Sequence, residues 1–421
     1  MMSETTNLDS AFSIGEVDDA ELKWVLSLHF RNSLCASSSK EVQFCRGGEP
    51  WAVKLIYNKG GKLVSAVGGP GLKPEDVTVL TDKVRRELME TSGPVASRCI
   101  LLSSYRVTGS FTYGDKLRIL PVPDHARKAP DLTESQVFGE HLTIEHPFIE
   151  EFPINRSINP VVQIERLERQ VRKYALLLNL FLEGNVKRIS RRRQRHWVHE
   201  GGEGRYEDVS SGYKYLREGY RYPGFYDIGP DVLPIGSHPL TLSSVEGVSP
   251  MGTMEYYEYF SNPRQDLNPP MRVPVLLATF FDRFESLGKS EQNRFLRSAF
   301  WFQHASNIWE ESNSAAYLAI VTSIETLVPR GGGPTKGFVD FINRMVPTSE
   351  DDIGERRELY RLRSALTHGG DLFHADMEGI GGMNPKSASE SYRHSIAMSL
   401  ARQVLLNWLL RETGGWPMPW K

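Results

Sequence analysis

The chain has 421 residues, 40% hydrophobic and 24% charged, with a formal net charge of -2. That length exceeds one typical domain, and the composition is that of a globular protein, so two or three domains are expected. Near-neutral charge excludes a global pull toward nucleic acid or an anionic membrane; any such attraction must be local.

The three cysteines, Cys35, Cys45 and Cys99, form no C-x-x-C pair. This predicts a reducing, cytoplasmic setting, with neither a disulfide framework nor a cysteine-bound zinc. The opening MMSETTNLDS lacks the basic and apolar blocks of a signal peptide, and the longest clean apolar run, VPVLLATFF, is about half a membrane span. No membrane partner is expected.

Residues 1–155 read as a mixed α+β domain. WAVKLIY and KLVSAV flank NKGG, a hairpin with glycines at its turn. KPEDVTVLTDKVRRELMETSG predicts a helix with Pro74 at its first position, acids in its first turn and Gly93 past its end. RCILLSSYRV and KLRILPV read as strands, and PVPDHARKAPD as a loop. Residues 156–270 form a second region. Its helix places Val161, Ile164, Leu167, Val171 and Tyr174 at helical spacing and ends near Gly184. A basic run follows, with Lys187, Arg188, Arg191, Arg192, Arg193 and Arg195, and then tyrosines 206, 213, 215, 220, 222 and 226. Basic side chains beside aromatic rings suit phosphate contact and base stacking. The same residues also suit a solvated segment balanced by Glu200, Glu203 and Glu207.

Prolines 269, 270 and 274 mark the next boundary. Residues 271–421 read as a helical bundle, from VLLATFFDRFESL, SEQNRFLRSAFWFQHASNIW, SAAYLAIVTSIETLV, ERRELYRLRSALTH and SASESYRHSIAMSLARQVLLNWLLRE. PRGGGPTKG is expected as a loop between helices. It lacks the G-x-x-x-x-G-K-[ST] order of a phosphate-binding loop.

The stretch ELYRLRSALTHGG carries the most chemistry. As a helix it puts Leu359, Leu362 and Leu366 on one core-facing side, with Arg363 at the edge of that face. Tyr360, Ser364 and His368 form a row on the other side. Gly369 and Gly370 stop the helix, so His368 lies among terminal carbonyls that favour its protonated form. An imidazole moves protons near neutral pH, and a guanidinium grips two phosphate oxygens. Together they could cleave RNA without metal or cofactor. Spacing alone does not single them out, because Arg191 and His196 have the same R-x4-H interval.

Residues 290–411 resemble the HEPN superfamily, in particular its ApeA-like branch. Tyr360, Arg363, Ser364, His368 and Gly369 fit that branch's Y-x-x-R-S-x-x-x-H-G helix end. Glu325 in AIVTSIETLV matches its glutamate helix, and a long final helix follows. The resemblance implies a metal-independent endoribonuclease of the toxin or antiviral-defence type. It implies a homodimer in which the arginine–histidine elements of two subunits meet, with Arg363 and His368 as the catalytic pair and Ser364, Glu325 and Tyr360 in support. Ser364 stands where the best-studied ribonucleases of the superfamily often have Asn, Asp or His. Some members are non-catalytic modules for dimerisation or RNA binding, and this is the alternative. A phage component or an antitoxin is the expected partner of the N-terminal region.

From the residues alone, Glu325 is equally suited to a buried ion pair with Arg363, and Tyr360 to packing at a helix interface. His374 and His394 are expected to be solvated or capping residues. With no carboxylate or cysteine at ligand spacing, they predict no metal site.

Overall fold

The computed structural model describes residues 5–30, 34–45, 50–89, 94–103, 105, 107–121, 146–155, 159–182, 186–188, 249–254, 270–309, 311–329, 333–347, 350–370, 372–377 and 385–411. The fold is α+β. Two compact units divide it: Met1–Arg98 with Phe152–Gln170 and Leu233–Leu242, and Cys99–Glu151 with Val171–Val232 and Ser243–Lys421.

The first unit contains β1 (Thr6–Asn7), α1 (Asp19–His29), β2 (Leu34–Ser37), β3 (Glu41–Cys45), β4 (Trp51–Tyr57), β5 (Leu63–Gly68) and α2 (Pro74–Val84). Its five strands run in the order β1-β5-β4-β3-β2, every neighbour antiparallel. Strands β4 and β5 form the expected hairpin. Asn58 organises the turn by accepting from the Gly60 and Lys62 amides, and Gly61 takes the positive φ of +73° that glycine tolerates. Pro74 opens α2, and the Lys73 amide donates to the Asp76 carboxylate, closing its first turn. A π-helical turn, Arg85–Met89, continues it. Leu22, Val25 and Leu26 of α1 join Val53, Leu55 and Ala66 of the sheet in one core.

One sequence expectation fails in this unit: Cys45 is disulfide-bonded. Wide spacing along the chain says little about distance across paired strands.

The chain passes from one unit to the other within β6 (Pro94–Ser103), β9 (His146–Asn155) and α3 (Pro160–Phe181). With β7 (Phe111–Tyr113), β8 (Leu117–Pro121) and β10 (Lys187–Arg188), the strands β6 and β9 build a second sheet ordered β10-β6-β9-β8-β7. Strands β11 (Thr253–Met254) and β12 (Val273–Pro274) form a short parallel pair. The PVPDHARKAPD loop and the tyrosine-rich stretch lie outside the described residues, apart from Pro121.

Seven helices complete the second unit among the described residues: α4 (Leu277–Ser286), α5 (Lys289–Ile308), α6 (Asn313–Glu325), α7 (Pro334–Met345), α8 (Glu350–Thr367), α9 (His374–Met377) and α10 (Pro385–Leu410). Helix α6 is central, packing against α5, α8, α9 and α10. It is apolar on almost every side, with Ala316, Tyr317, Ala319, Ile320, Val321 and Ile324 all buried. Helix α7 corrects the loop reading of PRGGGPTKG for its last four residues, Pro334 to Gly337. Gly333 is its N-cap and Pro334 its first residue, and Phe338, Val339, Phe341, Ile342 and Met345 give it a buried face. The C-terminal half of α3 belongs to the same core: Phe181 lies 5.1 and 5.2 Å from the rings of Phe280 and Phe281. The expected boundary at 271 therefore falls inside this unit.

Candidate functional site

Helix α8 forms because its leucines fall at one face. Leu359, Leu362 and Leu366 are buried, as their spacing predicts. Arg356 is buried too, and its guanidinium donates to the Asn343 side chain at 2.5 Å and to the Val346 carbonyl at 2.7 Å. Tyr317 of α6 donates its hydroxyl to the Leu359 carbonyl at 3.3 Å. Helix α8 is thus fixed to both α6 and α7 by apolar packing and by polar bonds that satisfy buried groups.

Arg363 points to α6. A guanidinium N–H donates to Glu325 Oε2 at 3.0 Å, and the two side chains are 26% and 24% exposed. The guanidinium carbon lies 5.7 Å from the centre of the Tyr360 ring. That ring in turn packs on Phe338 at 5.0 Å, so Tyr360 sits at the α7–α8 interface, as expected. Burial and the Glu325 carboxylate raise the Tyr360 hydroxyl above its ordinary pKa, with Arg363 opposing. The Nε of Arg363 is buried without a hydrogen-bond partner. The guanidinium is anchored at one terminal N–H and lined by an aromatic ring, and its other terminal N–H groups are the donors to spare.

His368 occupies a different setting. The Gly369 amide donates to Leu366 and the Gly370 amide to Ala365, the paired bonds of a Schellman ending. Gly369 has φ +68°, and His368 is the exposed C-cap residue. Ser364 is half-buried, and its carbonyl accepts the His368 amide at 3.1 Å. Five residues on a helix correspond to about 140° of rotation and about 7.5 Å of rise. One copy of the chain therefore presents Arg363 inward against α6 and His368 outward at the helix end.

The segment beyond His368 is tied back to the bundle. Asp376 accepts from the Asn313 amide at 2.6 Å and the Ser314 amide at 2.9 Å, capping α6. Burial would raise its pKa, but these bonds and those from the Ser314 and Ser312 hydroxyls outweigh burial and lower it. Glu390 of α10 accepts from the His374 and Ala375 amides. Sequence reading missed this brace, because its partners are 63 and 62 residues away along the chain.

The two further histidines divide. His374 is half-buried, with a ring nitrogen 3.4 Å from Lys386 Nζ. His394 is buried rather than solvated, its ring stacked 3.5 Å from Trp309 and its Nε2 without a partner. Desolvation lowers its pKa to about 4. Its place on the inner side of α10 overrides the polarity that suggested a surface position. Among the described residues no three His, Cys, Asp or Glu side chains come together as a metal-binding group.

The basic run is only partly within view. Lys187 and Arg188 form β10, paired with Leu102 and Leu101 of β6. Arg191, Arg192, Arg193 and Arg195 lie outside the described residues. No described helix is long and apolar enough to cross a membrane. No family model, curated protein or solved structure matches the chain.

Proposed function

We propose that the protein is an RNA-cleaving effector in which Arg363 and His368 act on one phosphodiester, with no cofactor. The observation that carries the reading is the state of Arg363: oriented by Glu325 and Tyr360, about a quarter exposed, with a single terminal N–H engaged by Glu325. Such a group is pre-organised to bind a phosphate and to stabilise charge that grows on its oxygens. His368 would take the proton of a 2′-hydroxyl as its oxygen attacks phosphorus. The bond from phosphorus to the 5′-oxygen breaks, and an imidazolium returns a proton to that leaving oxygen. The products are a 2′,3′-cyclic phosphate and a 5′-hydroxyl, so atoms and protons balance.

Because Arg363 and His368 face different ways on α8, one phosphodiester is best served by residues from two copies. A homodimer with paired α8 ends supplies them, in a cytoplasmic setting where RNA is abundant. The first unit, with its own sheet and core, is suited to receive a phage component or an antitoxin that governs activity.

A second reading, a non-catalytic dimerisation or RNA-binding module, draws on one observation. Glu325 already neutralises much of the Arg363 charge, as a purely structural ion pair would.

The test is inducible expression of the wild type beside Arg363→Ala and His368→Ala, with total RNA run on a gel and folding checked by circular dichroism. Growth arrest and RNA fragmentation by the wild type, absent from both folded variants, is the expected result. Identical behaviour of all three with the trigger or phage supplied would overturn it.

A further inference from the structure

Helix α5 carries an outward aromatic surface that neither Arg363 nor His368 uses. Its inward face is filled by Phe295, Ser298, Ala299, Phe302 and Ala305. On the opposite side Phe300 and Trp301 stand 47% and 36% exposed, although α5 is surrounded by a well-packed core. Phe300 and His304, four residues apart, lie parallel with an interplanar angle of 4° and ring centres 5.9 Å apart. Trp301 meets both rings edge-on, at 5.6 and 5.8 Å. The three rings thus form one continuous shelf rather than scattered exposed side chains.

Within α5 the charge next to this shelf is positive. Arg297 is exposed on the same face, one turn before Phe300 and Trp301. The one carboxylate in α5, Glu291, is paired with Arg411 at 2.7 Å. Beside the shelf, Gln303 Nε2 donates to the Val186 carbonyl at 3.0 Å. The next two positions of the chain, 187 and 188, are Lys and Arg, and they open the basic strand β10. The fold therefore brings the start of the most basic segment to the flank of its exposed aromatic rings.

Aromatic faces next to fixed positive charge form the combination that holds single-stranded nucleic acid, with rings stacking on bases and cations following the phosphates. A second copy of the chain is less well suited, since it would set the exposed Arg297 against its own like charge. We propose that Phe300, Trp301 and His304, with Arg297 beside them, form a stacking platform for single-stranded RNA, located away from the residues that would cut it. This extends the RNA reading above by assigning where the substrate strand is held.

The experiment measures binding of a fluorescein-labelled 20-nucleotide oligouridine to the full chain by anisotropy, in a His368→Ala background so that no cleavage intervenes. Phe300→Ala/Trp301→Ala should weaken binding about tenfold or more. Arg297→Ala should weaken it less and flatten its salt dependence. A Phe300→Tyr/Trp301→Phe variant, which keeps the rings, should bind like the background. Unchanged binding by the folded double-alanine variant would overturn the platform. So would a double-alanine variant that turns monomeric on a sizing column, because a second copy would then be the occupant. Because the assay reads binding alone, an uncut RNA pool in cells would count against catalysis while leaving this result standing.

Discussion

Replacing Glu325 by Gln tests what holds Arg363. The change keeps side-chain shape and removes the charge that faces the guanidinium at 3.0 Å. At that separation two unit charges interact by about 1.4 kcal/mol in water and about 5.5 kcal/mol at an effective dielectric constant of about 20. Both side chains are about a quarter exposed, so solvent screening and the ordering of two flexible chains pull the coupling toward the lower figure. The expected coupling is about 1–2 kcal/mol. It should appear in a cycle of Glu325→Gln, Arg363→Ala and the double variant, followed by urea unfolding, with single-variant midpoints about 1–3 °C lower in heat. RNA cleavage adds a readout that stability does not move. Arg363→Ala should abolish it, whereas Glu325→Gln should reduce it by misaligning a guanidinium that is still present. If the single effects simply add, to within about 0.3 kcal/mol, the ion pair does not orient Arg363. If Glu325→Gln cleaves like the wild type, that orientation is not needed for the reaction.

Two further outcomes follow from the same helix and its neighbour. Gly369→Ala forces a β-carbon onto a backbone with φ +68° where no atom lies close, so its cost is conformational, about 1 kcal/mol, with Gly369→Asn costing less; thermal denaturation checks both. His394 has its folded pKa lowered from 6.5 to about 4, so between those values the unfolded chain binds the extra proton. Its contribution is complete above about pH 6.5 and falls away as pH drops toward 4, removing about 2 kcal/mol by pH 5. His394→Phe, which keeps a ring against Trp309, should flatten that part of the curve of urea midpoint against pH.

How much of this was legible beforehand varies by residue. The leucine face of α8 was readable because helix geometry makes burial a function of spacing, and Leu359, Leu362 and Leu366 obey it. The Asn58–Gly61 turn and the Pro74 helix start were readable for the same reason: the chemistry that sets them lies within a few residues. The Glu325–Arg363 pair was visible as an option only, since 38 residues separate its members and only the packing of α6 on α8 makes them meet. Helix α7 was hidden behind GGGP, whose glycines argue for a loop until the buried face from Phe338 to Met345 is seen to need a partner.

Other features could not be read at all. The cysteine spacing concealed the disulfide at Cys45, because distance along the chain does not say which positions the fold brings together. The apparent boundary at 271 concealed a shared core, since Phe181 completes the packing of Phe280 and Phe281 from a helix almost a hundred residues earlier. The polarity of His394 and the apolarity of Phe300 and Trp301 both point the wrong way when read singly; one is buried and the others are exposed. The sequence alone determined the elements whose signals are local: helix faces, caps, turns and the α+β class. Only the tertiary structure decided which of them share a core, which charges pair and which rings face outward, because those depend on contacts between residues the chain keeps far apart.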